Sequence, residues 1–192
     1  MQSGKPLVQF NPYFVYGLIN GGRDQGAFIS DALVAMQKYG ICPKGDLPQG
    51  VMYQNQFPPS AFTSAKRFRL LKAFRCDTFE EICSAISLGF FCPLGIYVGD
   101  NFPRVDSDGV APLPGGGGGG HCILGVGLKK ISRYGWCIKI QNSWGKRFGH
   151  GGYCYIHKGH FSRMRPDAFA IQSVSDDPLD GTPQDEVPVN PG

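Results

Sequence analysis

Residues 115–152, GGGGGGHCILGVGLKKISRYGWCIKIQNSWGKRFGHGG, decide how the rest of the chain is read. A run of six glycines delivers His121 onto an apolar segment, HCILGVGL, of strand character. A second strand candidate, residues 136–141, ends in Asn142-Ser143-Trp144-Gly145. After Gly151-Gly152 comes a third, YCYIH. Short β-rich runs bounded by glycine turns predict antiparallel strands here. A lone histidine beside a strand is commonly a hydrogen-bonded structural residue. The alternative is chemical. An asparagine carboxamide accepts from one ring nitrogen and fixes the tautomer, a tryptophan shields that bond from water, and the second nitrogen is left to take a proton from a nucleophile. Spacing alone leaves both readings open.

Working outward, residues 90–98 and 168–174 add two further strands, so about five are expected, enough for a small antiparallel barrel or sheet. Pro93 predicts an edge strand or a bulge. Upstream, residues 10–19 are apolar and aromatic, readable as a helix starting at Pro12 or as a strand. From 27 to 39 the apolar positions 28, 29, 32, 33, 36 and 39 carry helical spacing, and Gly40 supplies the stop. Residues 42–64, rich in Pro, Gly, Gln and Asn, read as irregular surface chain. Residues 66–76 read as an extended basic strand. Thr78-Phe79-Glu80-Glu81 has the form of a capping box opening a short helix that ends near Gly89. Residues 100–120 read as a long polar loop.

The 192 residues suit one domain or two small lobes. The division expected is a helical and irregular part over 1–88, a β-lobe with the His/Asn site over 89–175, and an acidic Pro/Gly-rich tail over 176–192. The fold class is α+β. No segment approaches the roughly 20 apolar residues of a membrane helix. The net charge of +4 conceals an asymmetry, because Asp176, Asp177, Asp180, Asp185 and Glu186 all lie in the tail. The remaining body is basic, with its one real cluster at Lys66, Arg67, Arg69, Lys72 and Arg75. Without a nucleic-acid motif this reads as solvated charge. Seven cysteines form an odd set with no C-x-x-C pair. Cys92, Cys122, Cys137 and Cys154 lie in apolar strands, which predicts buried free thiols and a reducing, intracellular or virion setting rather than secretion. The usual zinc spacings do not occur, and neither a metal nor a cofactor is expected.

The quoted stretch resembles the C-terminal half of the papain-like cysteine proteases, whose pattern runs G-G-H-A-V-x-x-V-G-Y, a strand, then K-N-S-W-G-x-x-W-G-x-x-G-Y-F. Residues 90–99 and 168–174 resemble the flanking strands, and residues 11–48 resemble a left-lobe segment of phage and bacterial members. The resemblance implies a papain-like fold, with a helical left-lobe remnant and a β-barrel or sheet right lobe. It implies His121 as general base or imidazolium partner, Asn142 as its orienting group and Trp144 as their cover. The family's thiolate sits at the start of a buried helix, behind a glutamine of the oxyanion hole. That segment should precede residue 11, and residues 1–10 contain no cysteine. A second register sets Gln25-Gly26 on the oxyanion pair and puts Asp31 at the nucleophile position. In both registers the nucleophile is missing. Cys122, next to His121 on a strand, should point to the opposite sheet face. The expectation is a pseudoenzyme or peptide-binding module, inactive alone, with a phage virion or tail component as an analogy. The alternative is part of a split cysteine endopeptidase whose Cys helix comes from a second chain.

Overall fold

The order of secondary structure follows from local signals at almost every junction. A computed structural model of the chain describes residues 8–164 and 166–174. The segment around Pro12 is helical: α1 spans Pro12–Ile19, with the Asn11 side chain accepting from the Tyr13 N–H and Pro12 in the first turn, where a missing N–H costs nothing. Helix α2, Ile29–Lys38, ends at Gly40, whose φ of +85° suits the glycine stop. Gly40 is needed for a second reason: a Cβ there would lie 1.9 Å from the Ala65 carbonyl oxygen.

The segment 42–64, expected as irregular surface chain, is instead partly core. It contains two short 3-10 turns and helix α3, Pro59–Ala65. Leu47, Phe57, Ala61 and Ala65 are buried with Phe14 and Cys42. Composition hid this because alanine and proline open a short helix as readily as they make loop. The large apolar residues, among them Leu47, Val51, Phe57 and Phe62, do not recur at a helical or strand period. Buried Asn11 ties the cluster together, its amide donating to the Leu47 carbonyl at 2.7 Å.

Strand β1 (Leu70–Cys76) leads to α4 (Phe79–Ser87). The predicted capping box is present: the Glu81 N–H donates to Thr78 Oγ1, and the Glu81 carboxylate accepts from the Thr78 N–H. Strands β2 (Cys92–Gly99), β3 (Gly118–Ile131), β4 (Gly135–Gln141) and β5 (Tyr153–His157) follow, then α5 (Lys158–Met164) and β6 (Asp167–Val174). The six strands form one sheet in the order β1-β6-β2-β3-β4-β5. The β2–β3, β2–β6, β3–β4 and β4–β5 pairs are antiparallel.

Two expectations about the sheet are corrected. Pro93 lies on an interior strand, between β6 and β3, not at an edge. In the β2–β6 ladder Leu94 pairs with Ala168 and Gly95 with Asp167, while Phe91 bridges Ile171 separately, so pairing is interrupted where proline has no N–H to offer. Cys122 is exposed rather than buried. Its pairing partner is Gly95 while that of His121 is buried Ile96, so strand alternation places the thiol on the other sheet face.

Contacts divide the chain into two compact units, broken after Lys72 and after Gln172. In the first, Phe14, Phe57 and Phe62 pack ring against ring over Ala61 and Ala65. In the second, one sheet face (Leu94, Ile96, Ile123, Ile138, Ile140, Cys154, Ile156) meets Phe79, Ile82 and Ile86 of α4. The acidic segment 176–192 lies outside the described residues.

Candidate active site

His121 sits near the start of β3, where glycine governs the backbone. Gly118 has φ +155°, and a Cβ on it would lie 2.0 Å from the Val98 carbonyl oxygen. A Cβ on Gly99 would lie 2.4 Å from the Gly115 oxygen. The close approach of β2 to the glycine run therefore requires glycine at these positions. Gly119 and Gly120 have no such neighbours.

Asn142 and Trp144 come from the end of β4. That strand's last pair is Gln141 with Leu124. Extending the same register would bring Asn142 opposite Ile123 and Trp144 opposite His121, with the parity of the face that carries His121. The strand does turn away, with Gly145 at φ +81° and the Asn142 N–H donating to the Gly152 carbonyl at 3.0 Å. The side chains nevertheless meet. His121 Nε2 lies 2.9 Å from Asn142 Oδ1. Because a carboxamide oxygen only accepts, Nε2 carries the proton and Nδ1 of the neutral ring keeps its lone pair. Among the described residues no hydrogen bond reaches Nδ1. The Trp144 indole stacks on the imidazole at 4.6 Å between ring centres, 27° from parallel.

Asn142 is 8% exposed, and its Nδ2 is buried without an acceptor among the described residues. The sequence-predicted trio of His121, Asn142 and Trp144 is thus brought together in hydrogen-bonding and stacking contact. Asp31 lies elsewhere in the chain, exposed in the first turn of α2, and Gln25 is an exposed turn residue.

Two aromatic residues complete the cluster. Phe102, 1% exposed, stands edge-on to both His121 and Trp144, and Phe148 stacks on Phe102 while meeting Trp144 edge-on. Phe148 falls within the quoted motif, where its spacing to Trp144 is visible. Phe102 lies in the loop after β2, and no pattern in the sequence marks it.

The thiols sit in surroundings that disfavour the thiolate. Burial pushes the Cys83 thiol up to about 11 and those of Cys92 and Cys154 up to about 12. It also raises Cys42, Cys76 and Cys137. Activation as a thiolate needs a shift the other way. The Cys42 thiol donates to the Pro43 carbonyl, and that of Cys137 to the Gly135 carbonyl. Cys122 is on the wrong sheet face. Among the described residues no group of three or more His, Cys, Asp or Glu is placed to hold a metal ion.

The fold is that of the papain-like cysteine proteases. The chain is similar to the Xylella fastidiosa cysteine protease xylellain, with a TM-score of 0.71 and 24% identity, covering 88% of this chain and 72% of that one. It is similar to the bromelain protease of Ananas comosus, solved with the E64 inhibitor, with a TM-score of 0.61, 18% identity, and 88% and 80% coverage. A procathepsin B from Trypanosoma congolense matches with a TM-score of 0.67 and 19% identity, over 88% of this chain and 61% of that one. No protein-family model and no curated protein matches the sequence.

Proposed function

We propose that this chain carries the histidine–asparagine part of a papain-like cysteine-peptidase site, is inert in peptide hydrolysis by itself, and receives its thiolate from a polypeptide segment outside this sequence. One observation carries the reading. The His121 ring has Nε2–H tied to Asn142 and covered by Trp144, while Nδ1 is left without a partner among the described residues. A purely structural histidine gains most by using both nitrogens, as His160 does: it accepts from the His157 N–H and bonds the Ala111 carbonyl oxygen. A general base needs the opposite arrangement, one nitrogen fixed and one free. With a thiol placed against Nδ1, the ring would take its proton and the imidazolium would remain bonded to Asn142. The thiolate would then attack a peptide carbonyl.

The test is hydrolysis of a fluorogenic peptide under reducing conditions. The chain alone should be inactive. The chain recovered from its native source with the polypeptides bound to it should be active, and should lose activity on alkylation and in the His121→Ala variant. Hydrolysis by the isolated chain, abolished by alkylating one of its own seven cysteines, would overturn the proposal.

A second reading has its own support. Residues 118–123 of β3 pair with β2 along one side, while the β4 ladder begins only at Leu124. Among the described residues no strand pairs with the other side of this glycine edge, which suits strand addition by an extended peptide. That suits a peptide-binding or structural module without catalysis, such as a virion or tail component. On this reading His121→Ala leaves the biological role intact.

A further inference from the structure

We infer that Phe102 is a positioning residue for the His121 imidazole, seated by a side-chain clasp at Asn101. The inference rests on reading His121 as the proton acceptor of the site. The hydrogen bond to Asn142 fixes one atom of the ring but leaves it free to swing about Nε2. Trp144 covers one face, yet it is itself 45% exposed and belongs to a turn. Stacking alone lets two rings slide over each other.

Phe102 removes that freedom. It is 1% exposed and lies edge-on to both partners: 6.5 Å and 71° to His121, and 5.8 Å and 88° to Trp144. Phe148 backs it at 5.6 Å and is edge-on to Trp144 at 5.4 Å. Edge-to-face contacts at these distances are favourable and directional. The two phenylalanines therefore brace the Trp144–His121 stack.

The loop that holds Phe102 is closed by Asn101. Its Nδ2 donates to the Leu113 carbonyl at 2.9 Å, and its Oδ1 accepts from the Gly115 N–H at 3.0 Å. The Phe102 N–H donates to Gly99 and the Asp100 N–H to Gly117, both at 3.0 Å. One carboxamide thus joins the turn bearing Phe102 to the start of the glycine run that delivers His121. Phe102 and His121 are set by the same clasp.

The experiment needs neither thiol nor substrate. The full chain is labelled with nitrogen-15, and the His121 ring is followed by NMR for three signals: the nitrogen shifts that report its tautomer, the exchange of its Nε2 proton with water, and the ring-current shift that Trp144 imposes on its carbon-bound protons. Phe102→Leu, which retains most of the volume, is expected to speed Nε2–H exchange about tenfold and to collapse the ring-current shift. The His157 and His160 rings should stay unchanged. Asn101→Ala removes none of the ring side chains and should produce the same changes by loosening the clasp, so it decides the matter if Phe102→Leu does not fold. Wild-type exchange and ring-current shift in a folded variant of either kind would overturn the inference. A positive result with no hydrolysis in the native assembly would sink the peptidase proposal alone.

Discussion

At the scale of single residues, Asn142 is unusual in having one satisfied arm and one orphaned arm. Its Oδ1 accepts from His121, whereas its buried Nδ2 finds no acceptor among the described residues. Burying an unpaired donor costs about as much as a hydrogen bond returns, roughly 1–3 kcal/mol against 0.5–1.5. Removal of the whole side chain should therefore change stability little. In Asn142→Ala we expect a melting temperature close to wild type and a His121 ring that samples both tautomers, read from its nitrogen shifts. A loss of several kcal/mol would mean that Asn142 is there for the fold. This residue pair was legible in the sequence through the motif's resemblance to the papain-like pattern, since spacing alone left a structural histidine equally open. Phe102 was not legible, since its contacts come from a loop closure that leaves no periodic mark.

At the scale of elements, the glycine run separates into required and dispensable positions. A Cβ on Gly118 would meet the Val98 carbonyl oxygen at 2.0 Å, while one on Gly119 meets nothing within 4 Å. Gly118→Ala should destabilise the protein by about 2 kcal/mol or more, through a backbone clash at positive φ. Gly119→Ala should be close to neutral. Urea melts of the two variants check this, and equal effects would contradict the β2–β3 geometry. Sequence composition showed six glycines as one low-complexity loop. It could not show that β3 begins inside the run, because pairing with β2 is a tertiary event. The same limitation explains α3, whose short PSAFTSA segment has too few turns for a period to emerge. By contrast, the capping box at Thr78 was readable, as its two hydrogen bonds join residues only three apart.

At the scale of the whole molecule, fully buried His160 makes stability depend on pH. Desolvation, first, and the neighbouring His157 push its pKa down to about 4 from an ordinary 6.5. Between these values the unfolded chain binds a proton that the folded chain does not. The stability associated with the neutral ring is complete above about pH 6.5 and is lost as the pH falls towards 4, by roughly 3 kcal/mol in all. Burial also lowers His157, which acts in the same direction. The melting temperature should therefore fall across that window in the wild-type chain, and the dependence should flatten in His160→Asn. An unchanged slope would show that His160 is not held neutral.

By itself the sequence determined the local chemistry: caps, glycine stops, strand alternation and the order His121, Asn142, Trp144 along two adjoining strands. These are fixed by interactions spanning a few residues or one hairpin. Only the tertiary structure decided which strands pair, which thiols are buried, and that Phe102 and Phe148 brace the stack of Trp144 on His121. Such contacts join residues far apart in the chain, and their energies depend on packing and exclusion of water, which no short pattern encodes.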